Sequence, residues 1–297
     1  MRVAVTGATG TIGRALVEEL RGRGDEVVTL SRDSARGDFA WPDPKAGPPP
    51  TDALRGSDGV VHLAGEQLAQ RWSDATKREI RDSRVLGTRN LVAGLRELPS
   101  EARPRVLVSQ SAVGYYGARG DEEVDESASA GDDFLAAVVA EWEAEARAAE
   151  ELGIRVVTPR TGVVLAAGGG ALDKMLPPFK LGVGGPVAGG RQYVPWIHLD
   201  DVAGAMAFLL DNSAAAGPVN LTAPRPVTNG ELSKTLGRVL RRPAVAPVPG
   251  FAVRLLYGEM AMVVTTGQRA VPQQLQELGY EFRRPELEPA LRSTLDT

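Results

Sequence analysis

Cysteine is missing from the sequence altogether, which excludes disulfides and thiolate chemistry and fits a reducing compartment. Histidine is nearly missing too. Only His62 and His198 occur, too few for the usual ligand set of a zinc site, so no metal is expected. No stretch approaches the roughly 18 consecutive apolar residues of a membrane helix, so no membrane partner is expected. The N-terminal stretch has an apolar run of only Val3 to Val5, followed by Glu18 and Glu19 in a helical pattern. That pattern differs from a secretory leader, and a cytoplasmic protein is expected. A basic excess is lacking as well. With a formal net charge of −4, nothing points to a nucleic-acid partner.

What is present suits an ordinary globular chain. The 297 residues are 43% hydrophobic and 24% charged, enough for one large α/β domain with a smaller appendage. Strand-like and helical patterns alternate from the start. Strands are predicted at Arg2 to Thr6, Glu26 to Leu30, Gly59 to Leu63, Arg105 to Ser109, Arg155 to Pro159 and Val219 to Leu221. Helices are predicted at Thr11 to Arg23, from about Asp74 to Leu98, and from about Asp133 to Leu152. Repeated strand–helix–strand units require right-handed crossovers, hence a doubly wound parallel sheet of the Rossmann type. From Gly168 the texture changes to glycine pairs, and helices dominate after Asn229. Residues 1–167, with 192–228 returning to the sheet, read as the dinucleotide-binding domain. Residues 168–191 and 229–297 read as a smaller, mainly helical C-terminal lobe.

The strongest chemical signal is the loop Gly7-Ala8-Thr9-Gly10-Thr11-Ile12-Gly13. It follows a predicted strand and opens a predicted helix, the context in which such glycines bind a dinucleotide. Gly7 permits the tight turn, Gly10 lets the main chain approach a pyrophosphate, and Gly13 allows close helix–strand packing. The helix N-terminus then receives the phosphate charge. The second strand decides which nicotinamide. It ends Leu30-Ser31-Arg32, with no carboxylate before Asp33 to accept ribose hydroxyls. Ser31 can hydrogen-bond a 2′-phosphate and Arg32 can pair with it, so NADP(H) is the expected cofactor.

Four segments in order extend this reading: the glycine loop, Val61-His62-Leu63-Ala64-Gly65, Ser109-Gln110-Ser111 and Val194-Pro195-Trp196-Ile197-His198-Leu199-Asp200-Asp201-Val202. With these the chain resembles an extended short-chain dehydrogenase/reductase. More narrowly it is similar to the atypical nucleoside-diphosphate-sugar epimerase-like branch. That likeness rests on Arg71-Trp72, Ser83-Arg84-Val85, Gly87-Thr88, Val113-Gly114-Tyr115-Tyr116-Gly117 and Trp142-Glu143, with Arg254 to Met260 and Gly279 to Phe282 in the appended segment. The resemblance implies that Leu63, Ala64 and Gly65 pass by the cofactor ribose and that Ser109 lies on the catalytic-serine strand beside it. It implies that Thr161, Gly162 and Val163 approach the nicotinamide, and that Glu66, Arg191 and Trp196 face a small-molecule substrate.

The resemblance also implies a tyrosine, a lysine four positions on, and a serine as the reacting set. Phe134 and Val138 stand where the first two are expected, and a phenyl ring exchanges no proton. Three readings stay open. Tyr115 or Tyr116 serves as the acid with Ser111 orienting the substrate; Glu141 or Glu143 transfers the proton, against the plainer reading of a solvated helix face; or the protein binds NADP(H) without turnover. Ser111 has a plainer reading as a loop cap, and His198 as a structural hydrogen-bonding residue. In the C-terminal lobe a helix from about Phe251 to Thr265 is expected to pack through Phe251, Leu255, Met262 and Val263, and Phe282, Pro285 and Leu287 to tuck the tail onto the lobe. That lobe reads as a lid, a pocket wall or an oligomer contact in a monomer or homodimer. The expected function is an NADP(H)-dependent oxidoreductase or epimerase-like enzyme acting on a small carbonyl or hydroxyl compound. The alternative is a non-catalytic NADP(H)-binding sensor or interaction protein.

Overall fold

The computed structural model describes residues 1–296. β1 (Arg2–Thr6) leads into α1 (Thr11–Gly22), β2 (Glu26–Ser31), the short β3 (Phe39–Ala40) and one turn, α2 (Thr51–Leu54). β4 (Gly59–His62) precedes the long α3 (Asp74–Glu97), and β5 (Val106–Ser109) precedes β6 (Ser111–Ala112), β7 (Glu123–Val124) and α4 (Phe134–Arg147). β8 (Arg155–Thr161), β9 (Val163–Leu165), α5 (Ala171–Lys180), β10 (Tyr193–Val194) and β11 (Trp196–His198) follow, then α6 (Leu199–Asp211) and β12 (Gly217–Leu221). The remainder is β13 (Val227–Thr228), α7 (Asn229–Leu240), α8 (Gly250–Tyr257), α9 (Met262–Thr265), β14 (Arg269–Ala270), α10 (Gln273–Glu277) and α11 (Leu287–Leu295).

The main sheet runs β12-β8-β5-β4-β1-β2-β3, parallel throughout, with β6 added against β8. Its order reverses between β1 and β4, which opens a crevice at their carboxyl ends. Both faces of the central strands are covered, so their sequences are apolar almost without interruption. Val5, Val61 and Val108 join Leu16 and Leu20 of α1 and most of α6 in one core. Ala4, Val60 and Leu107 join Leu91 and Leu95 of α3 in the other. The helices begin where their caps dictate. Ser73 accepts the Thr76 N–H before α3, and Asp133 accepts the Ala136 N–H before α4, each satisfying an otherwise orphaned amide.

The second lobe has its own core, built from Leu172, Leu176 and Phe179 of α5, Leu232 and Leu236 of α7, and Leu291 of α11. Trp196 belongs to this core. It was expected to face a substrate, but it is 1% exposed and its indole N–H donates to the Arg225 carbonyl at 3.2 Å. Burial of so large an aromatic with its polar handle satisfied makes it a packing residue.

Two further expectations are corrected. Phe282 leaves the lobe and packs with Tyr280 against the first core, because Tyr280 stacks on Phe208 of α6 at 5.6 Å. Buried Asp201 secures that return by accepting the main-chain N–H groups of Arg283 and Arg284 at 2.7 and 2.9 Å; Leu287 does join the lobe core. The single helix expected from Phe251 to Thr265 breaks at Gly258, where φ is +63°. Register is lost at that break. Phe251 and Leu255, in the short helix before that break, find no partner and are 77% and 75% exposed, and Val263 beyond it is 41% exposed, instead of packed. Among the described residues no helix is long and apolar enough to cross a membrane.

Candidate active site

The crevice is floored by the β1–α1 loop. Gly7 has φ +68°, and a Cβ there would stand 2.7 Å from the Leu63 carbonyl carbon. A Cβ on Gly13 would lie 2.2 Å from the Gly7 carbonyl oxygen, so both positions hold the loop against its neighbours. Gly10 differs. Its nearest would-be contact is the Gly7 carbonyl oxygen at 3.3 Å, tight enough that a small shift is needed but far looser than at Gly13. Gly10 caps α1 with extended backbone, no side-chain bond and no acidic residue in the first turn. The N–H groups of Thr11, Ile12 and Gly13 therefore point outward without helical partners, a ready anion cradle. The Gly168–Gly170 strap crosses this mouth, since a Cβ on Gly169 would sit 2.8 Å from Thr11 Oγ1. Thr9 gives its carbonyl to Arg14 Nη1 at 2.9 Å.

At the next strand end, Ser31 is half-buried and Arg32 is exposed. Asp33, the nearest carboxylate, turns away to cap Ala35 N–H at 2.9 Å. Arg32 has no ion-pair partner among the described residues. The lip of the crevice thus carries an uncommitted guanidinium and a hydroxyl, suited to a phosphate dianion.

Across the crevice β4 runs into Leu63, Ala64 and Gly65, with Leu63 N–H bonded to Thr6 Oγ1 at 3.2 Å. Behind Gly65 stands Arg84. Its guanidinium donates to the carbonyls of Ile80 (3.0 Å) and Glu66 (2.9 Å) and lies over the Trp142 ring at 5.3 Å. Burial pulls its pKa down to about 10, with the Glu66 charge opposing. Glu66 itself is half-buried, and its N–H donates to Ser83 Oγ at 3.1 Å. The sequence offers Ser83 and Arg84 as lining the cleft or phosphate region, with a charged helix surface as the plainer alternative; Arg84 lies against Gly65 and bonds main-chain carbonyls there.

The other cofactor-side positions are more enclosed. Ser109 ends β5 beside His62 of β4, its hydroxyl fully buried and without a partner. Thr161 is also buried, with Oγ1 donating to the Pro159 carbonyl at 3.4 Å. Gly162 serves a close chain approach, because a Cβ there would meet the Pro195 carbonyl oxygen at 2.0 Å. Val163 is half-buried and pairs with Trp196 in the β9–β11 ladder. Arg191 is exposed at the edge of the lobe.

Where the reacting set was sought, the fold has built a buried ionic network. Ser111 is 0% exposed and donates to Glu143 Oε1 at 2.6 Å. Arg160 meets the same carboxylate with two bonds, Nε to Oε1 at 2.8 Å and Nη2 to Oε2 at 2.9 Å. Burial works against the arginine's charge, and the Glu143 bonds override it, leaving the guanidinium firmly protonated. Arg160 Nη1 also donates to the Tyr116 hydroxyl at 3.1 Å, which donates in turn to Asn220 Oδ1 at 2.7 Å. Burial pushes the Tyr116 phenol up to about 12, with Arg160 pulling the other way.

Several readings change here. Glu143 was expected on a solvated face and is 1% exposed, whereas Glu141 is solvated as expected and paired with Arg81 at 2.5 Å. Ser111 and Tyr116 are shut away from the crevice, so neither can touch a substrate in this arrangement. Tyr115 stays half-buried, its ring face 3.5 Å from the Arg160 guanidinium carbon, and its hydroxyl has no hydrogen-bond partner among the described residues. Phe134 packs edge-on against Trp72 at 5.5 Å beneath Lys77, and Val138 is buried. Trp72 and Phe134 join Leu135, Tyr257 and Met260 in one apolar cluster beside the crevice. His198 caps α6, its Nδ1 accepting the Asp200 N–H at 3.1 Å, and burial lowers its pKa.

A glycine-floored crevice at the switch point of a doubly wound parallel sheet defines a dinucleotide-binding protein of the Rossmann class. The particular family is given by comparison. The model of the NAD-dependent epimerase/dehydratase family matches residues 3–222, and a domain of unknown function, DUF1731, matches residues 248–294. The chain belongs to the NAD-dependent epimerase/dehydratase family. It is 42% identical to the chloroplastic SDR39U1 homolog, an epimerase family protein of Arabidopsis thaliana, over 99% of this chain and 87% of that one. The crystal structure of human epimerase family protein SDR39U1 with NADPH superposes with a TM-score of 0.91 at 37% identity, covering 100% of both chains. A nucleoside-diphosphate sugar epimerase from Corynebacterium glutamicum gives 0.80 at 35% identity, covering 99% of this chain and 58% of that one.

Proposed function

We propose that this protein is an NADP(H)-dependent oxidoreductase or epimerase-like enzyme acting on a small carbonyl or hydroxyl compound. The observation that carries the cofactor choice is the uncommitted Arg32 guanidinium beside Ser31, with Asp33 turned away into a cap. The human relative crystallised with NADPH supports it. In this reading the α1 N-terminus holds the pyrophosphate, Ser31 and Arg32 hold the 2′-phosphate, and Leu63 to Gly65 line the ribose. The bound nicotinamide supplies hydride exchange with a carbonyl carbon. Arg84 adds a fixed positive charge behind Gly65, and the Trp72–Phe134 wall keeps water from one side of the crevice. Tyr115 is the proton-carrying side chain of the original three that retains a free hydroxyl. Its neighbour Arg160 lies against the ring face and holds the ring in place.

One observation favours a second reading, a non-catalytic NADP(H)-binding protein: the burial of both Ser111 and Tyr116 in a closed network. Titration with NADPH and NADH, followed by cofactor fluorescence, tests the cofactor assignment. Incubation of the NADPH complex with a mixed panel of carbonyl compounds then separates the readings. Oxidation that is lost in Tyr115→Phe, with affinity unchanged, supports the enzyme. Tight NADPH binding with no oxidation across the panel supports the binding protein, and preference for NADH overturns the cofactor assignment.

A further inference from the structure

Eight of the nine large hydrophobic side chains that stand exposed on this protein lie between Leu181 and Val264. They are not scattered. Residues 184–188 and 246–248 run side by side, tied by the Ala246 N–H to the Gly184 carbonyl at 3.3 Å and by the parallel bridge of Val187 with Val248. That ribbon carries Leu181 and Val183 near one end, beside Pro243 and Val245, and passes into α8 at the other. There Phe251, Leu255 and Leu256 project from the helix while Val253 faces inward. A single soluble fold has no reason to gather protruding aliphatic and aromatic groups on one edge.

The charge of this edge is equally one-sided. No aspartate or glutamate occurs between Asp173 and Asp200, or between Glu231 and Glu259, although the chain as a whole carries a net −4. Lys180, Arg241, Arg242 and Arg254 are exposed there, and none has a carboxylate partner among the described residues. Arg241 and Arg242 line the same shallow concavity as Lys234 and Val245. Isolated apolar tips ringed by unpaired cations are the arrangement that sinks into a bilayer headgroup region.

We propose that this edge of the C-terminal lobe docks on an anionic lipid surface. The exposed apolar groups come from separate segments and are flanked by cations with no carboxylate to pair with, a charge pattern that an anionic fluid interface complements without needing matched pockets. The unpaired cations choose anionic headgroups, each raising binding by roughly fivefold near such a surface. Lack of a spanning helix does not bear on this mode.

The test is sedimentation of the whole chain with phosphatidylcholine vesicles, and with vesicles in which roughly one third of the lipid is phosphatidylglycerol. The protein should pellet with the anionic vesicles and not with the neutral ones, and added salt should weaken the binding by screening. Arg241→Glu with Arg242→Glu should reduce it at least about tenfold, and Phe251→Ser with Leu255→Ser should do the same. Both pairs are solvent-exposed, so the melting temperature of each variant serves as the folding check. Failure to pellet with anionic vesicles, or equal pelleting with neutral ones, overturns the proposal. So does a dimer in solution that the Phe251→Ser, Leu255→Ser variant dissolves, because the edge would then belong to a second copy of the chain.

Discussion

Arg160 and Glu143 share two hydrogen bonds, 2.8 and 2.9 Å long, in a pair that is nearly sealed from solvent. Taking away one partner leaves the other as an uncompensated buried charge. Glu143→Gln should therefore cost about 3–5 kcal/mol of stability, read from denaturant midpoints. Removing both charges, as Glu143→Leu with Arg160→Met, should recover most of that loss. A double variant as unstable as the single one would show that the loss comes from packing and not from the orphaned guanidinium.

Arg32 sits at the crevice lip with no carboxylate to release. A charge-assisted contact to a phosphate is worth about 1.5–3 kcal/mol. Arg32→Ala should weaken NADPH binding by roughly 10- to 100-fold and leave NADH binding almost unchanged. Equal losses for the two cofactors in a fluorescence titration would remove the 2′-phosphate from this position.

Gly10 and Gly13 belong to one loop but answer to different demands. A methyl group on Gly13 overlaps the Gly7 carbonyl at 2.2 Å, and main chain cannot yield as a flexible side chain can. Gly13→Ala is expected to lower the melting temperature sharply. Gly10→Ala, with 3.3 Å to its nearest atom, should melt close to the parent and lose cofactor affinity instead. Similar melting losses in both would mean that Gly10, too, is held by packing.

His62 ends β4, fully buried, with its Nδ1 hydrogen-bonded to the Thr6 hydroxyl at 2.7 Å, and burial lowers its pKa from 6.5 to about 4. The unfolded chain takes up a proton below pH 6.5 that the folded chain refuses, so this residue lowers stability as pH falls toward about 4. Below that both states are protonated and the slope ends. The full contribution is about 3 kcal/mol. Melting curves of the parent and His62→Gln across this window should diverge by that acid-dependent part. Parallel curves would show that the imidazole charges freely in the fold.

The long helices and central strands of the first 161 residues were readable because each is decided locally by glycine turns, β-branched strands and side-chain caps, whereas the short α2, β6 and β7 were not, being set by the packing around them. Gly7, Gly10 and Gly13 stand in the expected turn, with Gly7 and Gly13 held there by close main-chain contacts. The reacting set was not readable, because it depends on which way a helix is turned. Glu141, Glu143 and Glu145 look alike in sequence, and their two-residue spacing sends alternate members to opposite sides. Glu141 and Glu145 meet Arg81 and Arg89 outside. Glu143 falls on the stripe of Ala136, Val139 and Ala146, all buried. That stripe, together with an arginine inside the apolar strand Arg155–Thr161, was the signal for an internal ion pair. The exposed Phe251 and Leu255 misled for the converse reason. Helical spacing marks a common face, and nothing local tells whether that face has anything to meet.

Asp201 gives the molecule an unusual timetable. Its carboxylate, in the first turn of α6, is completely buried, and its donors are the N–H groups of Arg283 and Arg284 with the Tyr280 hydroxyl. A chain emerging from the ribosome makes the acid some eighty residues before those donors. Until they arrive, α6 cannot close over a naked charge without a heavy desolvation penalty. The first lobe should therefore wait for the tail, and nascent chains halted after Leu221 but before Tyr280 should remain open to proteases although every strand of the main sheet has already been synthesised.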